Sequence, residues 1–308
     1  MAAARNGIAY LEVATAAIAW GTWSLFLRPA AIDPRWSSAL MLLAVGVVPL
    51  PLLASARLRG PRSGPPRRAR EWSAIALIGL FDASNALLFF SAMSVTTVAI
   101  AVLSHYLAPV IVAATAPRLL GTPRKRGAVS LALLALFGLA LVLEPWALTG
   151  AGLSRGRPLL GALLGAGSAV FYAGNVFVSK RAAGRFTAEE QLVWHAWVSA
   201  ALLATFALAS GAPMPTLRGA LLALLAGALV GASSGLMYLR GLLRIPAEHA
   251  GILTFLEPLT AVLVAWLAFG ERPGLAAAFG AAIVLASGVL AIRDPGQAHA
   301  RGAFDTRT

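Results

Sequence analysis

Apolar runs about twenty residues long follow one another almost without interruption through the 308-residue chain. A helix needs about 20 mostly apolar residues to cross a bilayer. Inside lipid, only helices and closed barrels satisfy their own backbone groups. These runs are too long and too uniformly apolar for the alternating ten-residue segments of a membrane barrel. Composition agrees: 59% of residues are hydrophobic and only 12% are charged, where a soluble domain carries about 25% charge. Ten spans are expected, at 8–27, 36–54, 72–93, 97–117, 127–143, 158–179, 190–210, 219–239, 248–269 and 274–292. Spans two and five are short. The expected fold class is therefore an all-α polytopic membrane protein with ten transmembrane helices.

The net charge of +13 invites a nucleic-acid reading, but the placement of the charge argues against one. Nineteen of the 25 basic residues fall in one alternate set of loops, among them Arg57–Arg70, Arg118–Arg126, Lys180–Arg185 and Arg240–Arg244. Such a bias sets orientation in the membrane and puts both termini in the cytoplasm. The cluster at Arg57–Arg70 is also suited to anionic lipid headgroups. No cysteine is present, so disulfides, thiolate catalysis and cysteine-ligated metals are excluded. The first apolar run continues to Arg28–Pro29 without a small-residue cleavage site, and is expected to be a retained span.

The chain repeats itself. "HYLAPVIVAATAPRLLG" (His105–Gly121) aligns with "TFLEPLTAVLVAWLAFG" (Thr254–Gly270) at an offset of 149, matching Leu107 to Leu256, Pro109 to Pro258 and Gly121 to Gly270. The same offset pairs Ala83–Ser84 with Ala232–Ser233. "AWGTWSLFLR" (Ala19–Arg28) is similar to "FYAGNVFVSK" (Phe171–Lys180). Two five-helix repeats are expected, 8–143 and 158–292, followed by a mobile cytoplasmic tail at 293–308. Because five is odd, the second repeat enters the membrane from the opposite side. Inverted repeats of this kind build many secondary transporters, with the binding site near the midplane between them.

"ILTFLEPLTAVLVAWLAFGERP" resembles the closing motif of EamA-type domains of the drug/metabolite transporter superfamily, and "AIAWGTWSLFLR" is similar to their opening helix. The resemblance covers roughly residues 8–292. It implies ATP-independent movement of small metabolites, amino acids, sugars or drugs across a bacterial-type inner membrane. The family's glycine–glutamate pair is present as Gly270–Glu271, whereas Gly121 is followed by Thr122. No Walker motif is present.

Ionisable groups inside spans cost roughly 2.5–3.5 kcal/mol on insertion scales and are functional candidates by default. Asp82, His105 and Glu257 stand out. Asp82 and His105 lie near the middles of consecutive spans and are expected at similar depth. The pair reads either as a proton relay, since histidine titrates near neutral pH, or as a structural hydrogen bond. Glu12 reads as reaching the headgroups, His195 as a packed residue, and Glu271 as a turn residue at the external end of span nine.

Pro109 and Pro258 each remove a backbone N–H and release the carbonyl four residues back, that of His105 and of Thr254. A released carbonyl at membrane depth is tolerated where it lines a cavity or is buried in protein. The two prolines are read as matched helix kinks, serving either a binding site or packing. The scaffold is symmetric and its chemistry is not, since Glu257 corresponds to Ala108. The candidate substrate-binding set is His105, Tyr106, Thr254, Glu257, Asn85, Tyr172, Asn175, Tyr238 and Trp20, with Trp23 beside it. Proton-coupling candidates are Asp82, His105 and Glu257. No catalytic set, metal site or cofactor is expected, and no nucleic-acid partner. Glycines at 227, 231 and 235, and at 161 and 165, are spaced for close helix packing.

The leading reading is a secondary transporter that moves an amino acid or related metabolite outward by alternating access. Its partners would be the substrate, the bilayer and protons, with monomer and homodimer both open. A membrane-embedded enzyme and a non-transporting receptor or scaffold are the competing classes. The enzyme reading has no strong nucleophile–base or metal constellation in its favour, and the receptor reading is distinguished by an absence of flux.

Overall fold

The computed structural model describes residues 2–58, 68–123, 125, 127–147 and 157–293. Arg59, Arg62 and Arg67 of the basic stretch, and the tail from Asp294, lie outside them. The described residues are helical with no strand. In chain order the helices are α1 (Ala2–Trp20), α2 (Ser24–Ala30), α3 (Pro34–Val47), α4 (Leu50–Leu58), α5 (Ala69–Val95), α6 (Val98–His105), α7 (Ala108–Leu120), α8 (Ala128–Leu143), α9 (Pro158–Ala182), α10 (Ala188–Ala209), α11 (Leu217–Ala226), α12 (Ser233–Leu242), α13 (Ala247–Leu253), α14 (Leu256–Phe269) and α15 (Leu275–Arg293).

Among the described residues, eight helical stretches are long and apolar enough to cross a membrane. They correspond to the expected spans two to four and six to ten. The other two expected spans differ for local reasons. Span one is interrupted at Gly21–Trp23, between α1 and α2. Span five is α8, of 16 residues.

Helix starts follow from ordinary capping chemistry. Asp33 accepts from Arg35 N–H at 2.9 Å, with Pro34 as the first residue of α3, where a missing N–H costs nothing. Thr187 and Glu190 form a reciprocal capping box at α10, with bonds of 3.2 and 3.0 Å. The end of α14 is set by Gly270, at φ +74°. Its N–H bonds the Trp266 carbonyl and the next N–H, of Glu271, reaches the Ala265 carbonyl. That double closure needs a residue free to adopt the left-handed region.

Large apolar side chains face outward and small ones inward. Leu275, Leu217, Leu159 and Phe279 are 70–84% exposed, while the buried set is dominated by alanine. This is the arrangement of a multi-pass membrane protein, whose interfaces gain by close backbone approach. Corresponding spans of the two halves meet: α3 packs on α10, α7 of the fourth expected span on α13 of the ninth, and α8 on α15. Two further large contacts form a matched pair, α5 with α9 and α12 with α1.

The small-residue faces lie inside the bundle. Gly161 and Gly165 of α9 sit against Thr96 and Ser104, and Gly227 sits against the Met41 backbone. Gly227–Ala232 forms one wide π turn between α11 and α12. α8 and α15 also approach backbone to backbone, where a Cβ on Gly138 would stand 2.8 Å from the Gly280 carbonyl oxygen. Backbone cannot yield there as a flexible side chain would. Gly138→Val is therefore expected to lower stability by about 1–3 kcal/mol, the usual range for overpacking. Thermal unfolding in detergent measures it.

Candidate functional site

The two proline-marked regions are helix breaks. α6 ends at His105 and α7 begins at Ala108, one residue before Pro109. α13 ends at Leu253 and α14 begins at Leu256, two residues before Pro258. The breaks touch. Tyr106 and Phe255, which correspond at the repeat offset, have ring centroids 5.2 Å apart. Gly251 leaves room for Pro109, whose Cα lies 3.2 Å from where a Cβ would stand.

The carbonyl released by Pro258 is that of Thr254. It accepts from Glu257 N–H at 3.0 Å and from the Tyr106 hydroxyl at 3.4 Å. The bend is thereby fixed, and Glu257 stands on the first turn of α14. Gly21, in the α1–α2 interruption, is pressed against this turn, where a Cβ would meet the Glu257 carbonyl oxygen at 2.6 Å.

A cavity of about 320 Å³ opens beside these breaks. Both halves contribute to its wall. Trp20, Asn85, His105, Tyr172, Asn175, Tyr238 and Glu257 of the expected binding set all line it, as do Asp82 and Trp23. Tyr106 and Thr254 do not. They are 7% and 3% exposed and lie behind the wall, because the bend uses them: Tyr106 bonds the Thr254 carbonyl, and the Thr254 hydroxyl donates to the Gly251 carbonyl at 2.7 Å.

Three of the chain's four tyrosines surround Glu257. Tyr106, Tyr172 and Tyr238 all lie within electrostatic reach of its carboxyl. The Tyr172 and Tyr238 hydroxyls are 3.1 Å apart, and Tyr238 packs against Trp20 with centroids at 5.0 Å. Glu257 thus belongs to an aromatic, hydroxyl-lined end of the cavity.

Asp82 and His105 share the cavity but are not partners. His105 Nδ1 pairs with Ser168 Oγ at 2.8 Å, and its ring lies against Phe89 at 4.8 Å. The hairpin register explains this. Phe89 is opposite His105, and Asp82 is seven residues further from the turn, about 10 Å along the helix axis. The imidazole facing Asp82 is that of His195, with Nε2 3.9 Å from Oδ2. α10 crosses α5 closely at Gly79, where Val198 and the His195 carbonyl approach. His195 is thus packed, as expected, and also lines the cavity.

Other readings shift outside the cavity. Glu12 is paired with Arg244 and does not depend on lipid headgroups for a partner. Glu271 pairs with Arg28 at 2.6 Å, and Arg28 also lies over the Phe269 ring at 4.2 Å. The Arg28 guanidinium holds the Glu271 carboxyl below the usual carboxylate range. At the end where α13 begins, His249 meets the Tyr10 hydroxyl at 2.7 Å and Lys125 at 3.4 Å, and Lys180 donates to the Ile245 carbonyl at 2.6 Å. Sequence reasoning did not single out this cluster, since its members come from four separate regions. Among the described residues, no group of three or more His, Cys, Asp and Glu is placed to hold a metal ion.

Comparison with known proteins gives the wider context. A solved structure described only as "Crystal structure of protein" is 24% identical, with 92% of this chain and 98% of that one covered, at a TM-score of 0.77. The likeness is one of fold. No curated protein matches. The model of the EamA-like transporter family matches residues 7–144 and again residues 159–293. With both halves matched in this way, the chain belongs to the EamA-like transporter family.

Proposed function

We propose that this protein is a secondary transporter of the drug/metabolite type, exporting an amino acid or related small metabolite by alternating access. The observation that carries the reading is the polar cavity lined from both matched halves, beside two broken helices that meet. In a transporter built of repeats, broken helices at corresponding places mark the substrate site. The reading counts α1–α2 and α8 as spans, giving ten, in two five-helix units at 8–143 and 158–292. The matched contacts between halves support a two-fold relation of inverted repeats. The excess of basic residues in alternate loops supports cytoplasmic termini in a bacterial-type inner membrane.

Within this reading, Glu257 contributes its carboxylate to substrate or proton binding, and the surrounding tyrosines shape the pocket. His105, Asp82 and Glu257 are the proton-coupling candidates among the titratable groups facing the cavity, where His195 also stands. Pro109 and Pro258 hold the breaks about which the halves rearrange. ATP has no part in the cycle.

A radiolabelled metabolite screen in proteoliposomes, with and without a pH gradient, tests the transport reading. Absence of flux for every compound in a broad panel would defeat it. For the substrate so identified, Glu257→Gln is expected to reduce uptake at least about tenfold, as loss of a charge-assisted hydrogen bond worth about 1.5–3 kcal/mol requires. Full transport by that variant removes Glu257 from the site.

A second variant addresses proton coupling. His105→Gln is expected to flatten the pH dependence of transport near neutrality. Should the pH profile match the unmodified protein, His105 holds Ser168 for structure alone.

A further inference from the structure

The cavity wall between α5 and α10 carries hydrogen-bond acceptors that no protein group satisfies. His195 is only 9% exposed. Its Nδ1 lies 2.6 Å from the carbonyl oxygen of Gln191, one turn earlier. A carbonyl can only accept, so Nδ1 carries the hydrogen, and a neutral ring then presents a bare lone pair at Nε2. That nitrogen faces Asp82 Oδ2 at 3.9 Å, beyond hydrogen-bond range. Asp82 Oδ2 is buried and has no hydrogen-bond partner, and the same is true of Asn85 Oδ1, one turn further along α5. All three residues line the cavity.

Three acceptors therefore gather on one stretch of wall, and the Asp82 and Asn85 oxygens have no protein partner. A buried acceptor left unpaired costs about 1–3 kcal/mol, and a charged one more. The arrangement is completed by a ligand that brings donors. Charge points the same way. The lining residues include Asp82 and Glu257 and no lysine or arginine. A carboxylate on the ligand would meet no fixed positive charge. Trp20 and Trp23 line the same space, and indole faces are the best aromatic partners for a cation.

We propose that the cavity selects a small organic amine in its ammonium form over the corresponding amino acid or acid. The –NH₃⁺ group sits among Asp82, Asn85 and His195, and its hydrocarbon part lies against the tryptophans. An ammonium on a single carbon stem offers three N–H donors, one for each acceptor. Glu257 stands at the end of the cavity lined by Tyr172 and Tyr238 and is not part of the ammonium seat. The proposal rests on the transport reading for its biological consequence and narrows that reading to a substrate class.

The test uses three ligands that share a phenyl ring: 2-phenylethylamine, phenylalanine and 3-phenylpropionate. Binding to the purified full-length protein in detergent is measured by calorimetry, and flux of each is measured in proteoliposomes. The amine is expected to bind at least tenfold more tightly than phenylalanine, and 3-phenylpropionate not to bind. Asp82→Asn should weaken amine binding at least tenfold, and Asp82→Glu should recover part of it. Equal or tighter binding of phenylalanine overturns the proposal, as does a folded Asp82→Asn variant that binds the amine normally. If Asp82→Asn does not fold, the ligand series and Asp82→Glu decide. Amine binding without flux leaves the amine site standing and removes transport. Flux of phenylalanine without amine binding does the reverse.

Discussion

A proline in a lipid-embedded helix releases a carbonyl that has no water to bond. Much of this structure follows from where that carbonyl finds a donor. The Thr254 oxygen takes the Glu257 N–H and the Tyr106 hydroxyl. Tyr106 is itself the residue that follows the end of the other broken helix, α6, at His105. The first half thus helps complete the bend of the second, which is not self-sufficient. The bond also sets the direction of α14, and so brings the Glu257 carboxyl to a wall facing His105 and the tyrosines.

The frame is shared between halves and the chemistry is not. Tyr106 stacks on its own counterpart Phe255, yet the acid Glu257 corresponds to Ala108. Interruptions differ too. The first half breaks its opening helix at Gly21, whereas the equivalent α9 runs unbroken from Pro158 to Ala182. The second half carries a π turn at Gly227–Ala232, and the equivalent α5 is continuous. π turns are frequent at functional sites, and here Gly231 and Gly235 form part of the cavity wall. A cavity between unlike walls has two ends, one where tyrosine hydroxyls surround Glu257, the other where the Asp82 and Asn85 oxygens lack partners.

Most of the helices and most of the cavity residues were legible in the sequence. Apolar runs report depth directly, and a proline at membrane depth is hard to misread. Seven of the nine expected binding residues line the cavity. What the sequence concealed was azimuth and register. Nothing in "VWHAWV" says which face of α10 His195 occupies; that depends on Gly79 letting α10 approach α5. The Asp82–His105 pairing failed on register, because depth read from run centres ignores where the turn falls. Tyr106 and Thr254 were found for the right reason, the released carbonyl, but that bond draws them away from the cavity. The buried Tyr10–His249–Lys125 cluster left no local pattern at all, since three distant segments assemble it.

α8 has 16 residues, which at 1.5 Å each spans about 24 Å. A bilayer's hydrocarbon core is about 30 Å thick. Gly138 locks α8 to α15 backbone to backbone, while Leu133, Leu134 and Phe137 face outward. The outer face of α8 is apolar. In the proposed ten-span arrangement, where α8 crosses the bilayer, the mismatch would fall on the lipids, and acyl chains beside α8 would shorten or tilt to meet it. Such a deformation costs a fraction of a kcal/mol per ångström. It favours thinner bilayers and draws together neighbours that share the same shortfall.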